Sequence, residues 1–235
     1  ADFLATGHYA QTKNGLLIKS SDFEKDQTYF LNAVKKEALE KVLFPIGHLK
    51  KEEVRALARQ YNLPTAEKKD STGICFIGKR DFSEFLGQYI PYQEGNFETL
   101  CGQVIGQHQG TAFYTIGQRK GLKIGGPGEA WFVVGKDIAR NVVYLEQGDD
   151  HPALYQSSLI ATEPSWVSGV PPTTPFHCHA KIRYRQPDQE CLIERIEDGK
   201  VFVSFRDRQR AVTPRQSIVF YEGPVCLGGA LIAPF

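Results

Sequence analysis

Residues 191–205 read CLIERIEDGKVFVSF, in which two apolar runs are joined through Asp198-Gly199. An Asp-Gly pair between two such runs is a strong signal for a β-hairpin. Further short runs of β-forming residues cover residues 181–184, 217–221 and 230–233. Several short strands at this spacing predict a closed β-barrel or sandwich of roughly 85 residues in the last part of the chain.

The first part of the chain has a different pattern. Residues 3–6 form an apolar run typical of a strand, and Lys13-Asn14-Gly15 is a hairpin turn signal. Apolar residues then recur at helical spacing over residues 34–43, 54–61 and 82–89, and each segment ends before a proline. Strands that alternate with helices predict part of an α/β domain.

The composition changes from about Gly95 onward, where glycine and aromatic residues become frequent. Short strands are predicted at residues 131–134 and 142–145, and a second boundary lies near residues 148–152. We therefore predict an α/β segment over residues 1–82, a small, mainly β central domain over residues 83–150 and a C-terminal β-barrel over residues 151–235.

Composition limits the classes of function. The chain has 235 residues and a net charge of +1, from 28 Lys and Arg against 27 Asp and Glu. Any nucleic-acid binding must therefore come from local basic patches. The five cysteines are scattered singly, which is typical of a reducing, cytoplasmic setting. No apolar run approaches the ~20 residues of a membrane span and no signal-peptide pattern opens the chain, so we expect no membrane partner.

Several common catalytic motifs are absent from the sequence, among them HExxH, CxxC, GxSxG, GxxxxGK[ST] and a GxGxxG after a strand. The six histidines do not suggest a metal site. In the densest group, His177-Cys178-His179, neighbouring side chains of a strand would point to opposite faces. We therefore predict no metal-ligand set.

The segment around Cys75 is the strongest candidate for chemistry. It reads KKDSTGICFIGKR over residues 68–80. Nearby cations and backbone N–H groups lower the pKa of a thiol and favour the nucleophilic thiolate. The alternative, from local sequence alone, is a buried strand in which Cys75 is a small core hydrophobe.

Two short segments in the first part of the chain are candidates for ligand contact. Gly7-His8-Tyr9 follows a strand, where a glycine lets a nucleotide approach the backbone. Lys25-Asp26-Gln27 offers a cation, an acceptor and an amide, which suit a phosphate and a base edge. The alternatives are a structural imidazole at His8 and an ordinary helix N-terminal turn at residues 25–27.

Two basic segments are candidates for contact with a nucleic acid. Arg183-Tyr184-Arg185-Gln186 combines guanidinium groups with an aromatic ring, and in a strand Tyr184 would face opposite to both arginines. The glycine-rich stretch 117–126 carries Arg119, Lys120 and Lys123. Each segment is equally compatible with a solvated basic surface.

Taken in chain order, six segments together resemble the tRNA-specific 2-thiouridylase family. They are ATGHY (5–9), KDQTYFL (25–31), DSTGICFIG (70–78), TIGQRKGL (115–122), RYRQ (183–186) and VCLGG (225–229). The resemblance implies that residues 1–82 are the distal half of a Rossmann-like ATP-pyrophosphatase (PP-loop) domain, followed by the central domain and a tRNA-binding β-barrel.

The same resemblance implies a sulfurtransferase. ATP, with Mg²⁺, adenylates the C2 oxygen of a wobble uridine, and a persulfide on Cys75 then delivers sulfur to C2. Gly7 matches a position that touches ATP, and Asp70 would orient the Cys75 segment. A sulfur-donor protein is an implied partner. The positions that match tRNA contacts are His8, Lys25, Asp26, Gln27, Arg183, Tyr184 and Gln216.

Two other readings stay open at this point. The chain would be a non-catalytic tRNA-binding module if Cys75 were inert. A methyltransferase is a third possible class. The sequence disfavours it, because it has no glycine-rich loop typical of a nucleoside-methionine cofactor site.

The sequence departs from the family pattern at its beginning, so we expect the chain to start within a domain. It contains no Ser-Gly-Gly-Val-Asp-Ser loop, and no second cysteine precedes Gly7 to form a disulfide with Cys75. Cys101, Cys178, Cys191 and Cys226 lie at positions that do not match that family cysteine.

We therefore predict that the 235-residue polypeptide alone neither hydrolyses ATP nor thiolates tRNA. The measurement is nucleoside analysis by mass spectrometry after incubation with ATP, a sulfur donor and unmodified tRNA. Appreciable 2-thiouridine would contradict the prediction.

Overall fold

The computed structural model describes residues 1–68 and 82–234, and within them the chain is mostly β-structure. The strands are β1 (Leu4–Ala5), β2 (Ala10–Lys13), β3 (Leu16–Lys19), β4 (Val42–Leu43), β5 (Gly95–Glu98), β6 (Val104–His108), β7 (Trp131–Asp137), β8 (Val142–Gln147), β9 (Tyr155–Trp166), β10 (Phe176–Lys181), β11 (Gln189–Glu197), β12 (Lys200–Arg210), β13 (Ser217–Glu222) and β14 (Val225–Ile232).

The helices are α1 (Thr28–Leu31), α2 (Lys36–Leu39), α3 (Lys51–Gln60) and α4 (Phe82–Gly87), and short 3-10 turns lie at Thr111–Phe113 and Pro152–Leu154. None of the helices in the described residues has the length and apolar character that a membrane crossing requires.

The described chain forms two compact units. The first comprises residues 1–68, 157–208 and the chain from Pro214 onward. The second comprises the described part of residues 69–156 together with residues 209–213. The segment around Cys75 and Asp70 lies outside the described residues.

A closed six-stranded barrel forms the centre of the first unit. Its strands follow the order β13-β10-β11-β12-β9-β14, and β13 also pairs with β14 to close the ring. Closure removes the exposed edges that an open sheet would present. The predicted C-terminal β-barrel is therefore confirmed, and the Asp198-Gly199 turn joins β11 to β12 as the sequence indicates, with both residues at positive φ.

The N-terminal hairpin β2–β3 extends the barrel sheet. β3 pairs with β14 through Ile18↔Val225 and Leu17↔Cys226. The predicted turn at Asn14 and Gly15 is confirmed, and their φ values of 54° and 75° are those of the tight hairpin turn that twists with its strands. Leu17 is fully buried in a core that includes Tyr29, Leu39, Val219 and Tyr221.

The second unit contains a four-stranded sheet in the order β6-β5-β8-β7, in which only β5 and β8 run parallel. Its core consists of Phe97, Leu122, Val133, Val143 and Leu145. The two strands predicted at residues 131–134 and 142–145 are confirmed as parts of β7 and β8.

Two local predictions are wrong. The helix expected over residues 34–43 is limited to α2, because Val42–Leu43 pairs in parallel with Leu4–Ala5 as β4. The strand expected over residues 181–184 ends at Lys181. There the Gln186 side-chain oxygen accepts a hydrogen bond from the Ile182 N–H at 2.9 Å. The Gln186 main-chain N–H donates to the Arg183 carbonyl oxygen at 3.1 Å, and the two bonds close a turn.

Gly228 is required where β14 changes partners. Residues 225 and 226 pair with β3, whereas residues 228–232 pair with β9. At Gly228 φ is 142°, and a Cβ would collide with the main chain of Ser165 and Trp166.

We predict that Gly228→Ala lowers the free energy of unfolding by about 2–4 kcal/mol, because it combines strain at positive φ with a backbone collision. Gly7→Ala, in the same unit, is the control. Its Cβ would meet no described atom, and we expect a change within ~0.5 kcal/mol. Urea unfolding measures the free energy of unfolding of both variants, and equal stabilities would contradict the predicted role of Gly228.

Candidate functional site

The loop before α1 is organised by the carboxylate of Asp26, which is only 4% exposed. Its Oδ1 accepts a hydrogen bond from the Ser20 N–H at 3.0 Å, and its Oδ2 accepts one from the Thr28 hydroxyl at 2.7 Å. Because donors of the chain itself occupy both oxygens, Asp26 holds the turn on which Lys25 and Gln27 lie.

Gln27 connects this loop to the Gly7-His8-Tyr9 segment. Its side-chain oxygen accepts from the Tyr9 N–H at 2.9 Å, and its own N–H donates to the Tyr9 carbonyl at 2.8 Å. His8 is half-buried, with Nδ1 at 2.9 Å from the Thr6 hydroxyl. Gly7 is exposed, and a Cβ there would meet no described atom within 4 Å. The two segments therefore lie side by side, with an open approach to the Gly7 backbone.

Three aromatic rings meet beside α1. Tyr29 is buried, and its hydroxyl donates to the Ser217 carbonyl at 2.8 Å. Burial raises the pKa of Tyr29 to about 12, with the Arg183 charge acting in the opposite direction. Phe30 is 58% exposed, and its ring centroid lies 4.5 Å from that of Tyr184. Phe30 and Tyr184 thus form an aromatic pair that faces solvent in part.

Charged groups surround this aromatic pair. Burial and then the Asp26 carboxylate raise the pKa of Tyr184, whereas Lys25 and Arg185 act in the opposite direction. The Tyr184 hydroxyl therefore stays protonated at neutral pH. Gln216 is half-buried. Its main-chain carbonyl accepts a hydrogen bond from the Ile232 N–H at 2.8 Å, and the next main-chain carbonyl, of Ser217, accepts from the Tyr29 hydroxyl.

An ionic cluster of two buried lysines and one partly exposed aspartate fixes the loop that carries Arg183 and Tyr184. Asp188, which ends the loop, pairs with Lys19 of β3 and lies 3.6 Å from the ammonium of Lys181, where the loop begins. The lysine side chains are only 7% and 11% exposed. Their ammonium groups lie 4.1 and 5.6 Å from the ring centroid of Tyr221. One carboxylate therefore balances two buried cations and closes the base of the loop.

The structure brings most of the sequence-derived candidates of the first unit around α1. They are Gly7, His8, Lys25, Asp26, Gln27, Arg183, Tyr184 and Gln216. The basic stretch with Arg119, Lys120 and Lys123 lies in the second unit, where these residues are exposed.

The described cysteines differ in their environments. Burial raises the pKa of Cys226 to about 12, so this thiol stays protonated in the core. Cys101 is exposed, and a hydrogen bond with the Thr99 hydroxyl at 3.0 Å lowers its pKa. Within residues 1–68 and 82–234, no three His, Cys, Asp or Glu side chains are grouped so that they would hold a metal ion.

Three protein-family models match the chain in succession. The tRNA methyl transferase HUP domain matches residues 1–79, the tRNA methyl transferase PRC-barrel domain residues 83–147 and the aminomethyltransferase beta-barrel domain residues 156–232. A tRNA-specific 2-thiouridylase MnmA of Protochlamydia amoebophila is 60% identical over 99% of the chain, and those of Halalkalibacterium halodurans and Listeria monocytogenes are 55% and 52% identical. Over almost its whole length, the chain is similar to tRNA-specific 2-thiouridylases.

The chain spans 63% of the length of the Protochlamydia thiouridylase and 64% of the other two. The HUP match agrees with the predicted Rossmann-like class of the first segment, and the two barrel matches agree with the predicted β-structure of the rest.

Four residues at this candidate site were not predicted from sequence. The sequence marks Phe30 only as part of the KDQTYFL segment, and nothing in a four-residue helix signals which ring faces solvent. Lys19, Lys181 and Asp188 lacked a local signal, because the ion pairs join residues up to 169 positions apart.

We predict that Asp188→Asn lowers the free energy of unfolding by about 2–3 kcal/mol, because it leaves two buried lysines without their carboxylate. The matched control is Glu190→Gln on the same hairpin. Glu190 pairs with Arg206 at 2.8 Å, but both side chains are exposed and solvent screens the pair, so its loss should leave the stability nearly unchanged. Urea unfolding compares the two variants, and similar losses would refute the distinction.

Proposed function

We propose that the protein of which this chain is part is a tRNA 2-thiouridylase, a sulfurtransferase acting on the wobble uridine. Support comes from the names of relatives 52–60% identical over 99% of the chain, and from the DSTGICFIG segment around Cys75. The observation that carries the tRNA part is the clustering of Lys25, Gln27, Arg183 and Tyr184 around one short helix.

The proposed reaction has two stages. ATP converts the C2 oxygen of the uridine into an adenylate, so that AMP becomes the leaving group. The outer sulfur of a persulfide on Cys75, a soft and strong nucleophile, then attacks C2 and expels AMP. A second thiol attacks the inner sulfur, on Cys75, which breaks the S–S bond, releases the 2-thiouridine and leaves a disulfide on Cys75 that a thiol reductant reduces. A sulfur-donor protein reloads Cys75. The cytoplasm is the proposed location, because tRNA, ATP and reduced thiols occur there together.

Gly7 is the residue proposed to lie against ATP. It is exposed and has no side chain, so a nucleotide can approach its backbone closely. Mg²⁺ is proposed to accompany the ATP phosphates.

The aromatic pair of Phe30 and Tyr184 is proposed to stack on an unpaired base. Aromatic side chains stack on bases exposed in RNA loops, and cations beside them contact phosphates. Lys25 and Arg183 supply those cations at this site, and His8, Gln27 and Gln216 supply polar contacts around it. Phe30 extends the set of tRNA contacts beyond the residues indicated by sequence.

Asp26 has a different role in this proposal. It is only 4% exposed and its two oxygens accept hydrogen bonds from Ser20 and Thr28, so little of the carboxylate is open to an RNA donor. Asp26 is therefore a positioning residue, which holds Lys25 and Gln27 in place for contact with tRNA.

In the full-length protein, we predict that Cys75→Ser abolishes 2-thiouridine formation and leaves the tRNA dissociation constant unchanged within about twofold. Phe30→Ala and Tyr184→Ala should weaken tRNA binding about 5- to 150-fold, because each base stack contributes ~1–3 kcal/mol. Filter binding and nucleoside mass spectrometry measure these quantities.

Tyr184→Phe is the matched control, since it keeps the ring and should keep the affinity. A Cys75→Ser protein that still thiolates tRNA would refute the sulfur-transfer role. Unchanged binding by both alanine variants would refute the stacking role.

A further inference from the structure

The hairpin of β10 and β11 carries two cysteines directly opposite each other. Cys178 and Cys191 are partners in the antiparallel register, and their sulfur atoms lie 3.6 Å apart. Both are free thiols, 7% and 5% exposed. Neither has a part in the proposed reaction.

The two thiols lie on the wall of one cavity. The cavity has a volume of about 600 Å³ and is also lined by His179, Phe205, Arg206 and Glu222. A small reagent that enters this cavity would meet both sulfur atoms at once.

The strand register brings the two cysteines close to the spacing that a disulfide needs. Residues directly opposite in an antiparallel pair have Cβ atoms about 4.5–5.5 Å apart, and a disulfide needs about 3.5–4.5 Å. Only a small approach of the two strands is required for the sulfur atoms to bond.

We propose that Cys178 and Cys191 form a site of reversible oxidation, which closes to a cross-strand disulfide when a small-molecule disulfide enters the cavity. The thiolate of one cysteine attacks the reagent, forms a mixed disulfide and releases one reagent thiol. The other cysteine then attacks its neighbour's sulfur and expels the second reagent thiol. Two protein thiols are thus oxidised, the reagent is reduced by two electrons, and the two protons go to its thiols.

The environment sets the rate of this reaction. The hydrogen bond with Cys178 and burial raise the pKa of the Cys191 thiol, so little thiolate forms at neutral pH. The oxidation should therefore be slow at pH 7 and faster at pH 9.

The exposed Cys101 is an internal control. It has no described thiol partner, and the Thr99 hydroxyl lowers its pKa. It should react sooner and stop at the mixed disulfide.

The experiment treats the whole 235-residue chain with 2-hydroxyethyl disulfide, followed by alkylation, trypsin digestion without reductant and mass spectrometry. Trypsin cleaves after Lys181, Arg183 and Arg185, so a Cys178–Cys191 bond would join two separate peptides. We expect that linked pair, 2 Da lighter than the two thiol peptides and separated by dithiothreitol.

A Cys101→Ser chain should give the same linked pair, and a Cys191→Ser chain should give none. Cys178 and Cys191 recovered as alkylated thiols, while Cys101 carries the reagent, would overturn the proposal. Separate mixed disulfides on Cys178 and Cys191 would overturn it too, since the second exchange step would then be absent.

Discussion

Two buried lysines impose an electrostatic constraint on the first unit. An ammonium group removed from water is costly unless a carboxylate lies close to it. Lys19 and Lys181 share Asp188, and both lie against the ring of Tyr221. Because these residues come from the N-terminal hairpin, from β10, from the loop after it and from β13, neutralising the charges also joins these segments.

The same constraint reaches the candidate site. The loop that carries Arg183 and Tyr184 begins at Lys181 and ends at Asp188, so their ion pair closes its base. The other part of the candidate site, helix α1, has only four residues and is too short to be stable alone. The Tyr29 hydroxyl ties it to the barrel at Ser217, and Asp26 fixes its entry. The site is thus an assembly of short segments held by long-range contacts.

Sequence reasoning was most reliable where the signal is local. The turns at Asn14-Gly15 and Asp198-Gly199 follow from residues that tolerate positive φ. It failed where pairing partners are distant in the chain. Val42 and Leu43 fit a helical pattern, yet they pair with β1. Tyr184 was expected on one face of a strand, but the turn closed by Gln186 places it beside Phe30.

The sequence by itself determined the family resemblance, the β-rich barrel and the set of site candidates, because motif order, turn chemistry and apolar periodicity are written in neighbouring residues. Only the tertiary structure decided that Phe30 is exposed, that Lys19 and Lys181 share one aspartate, and that Cys178 faces Cys191. Burial, charge pairing and strand register depend on residues far apart in the chain, which no local pattern specifies.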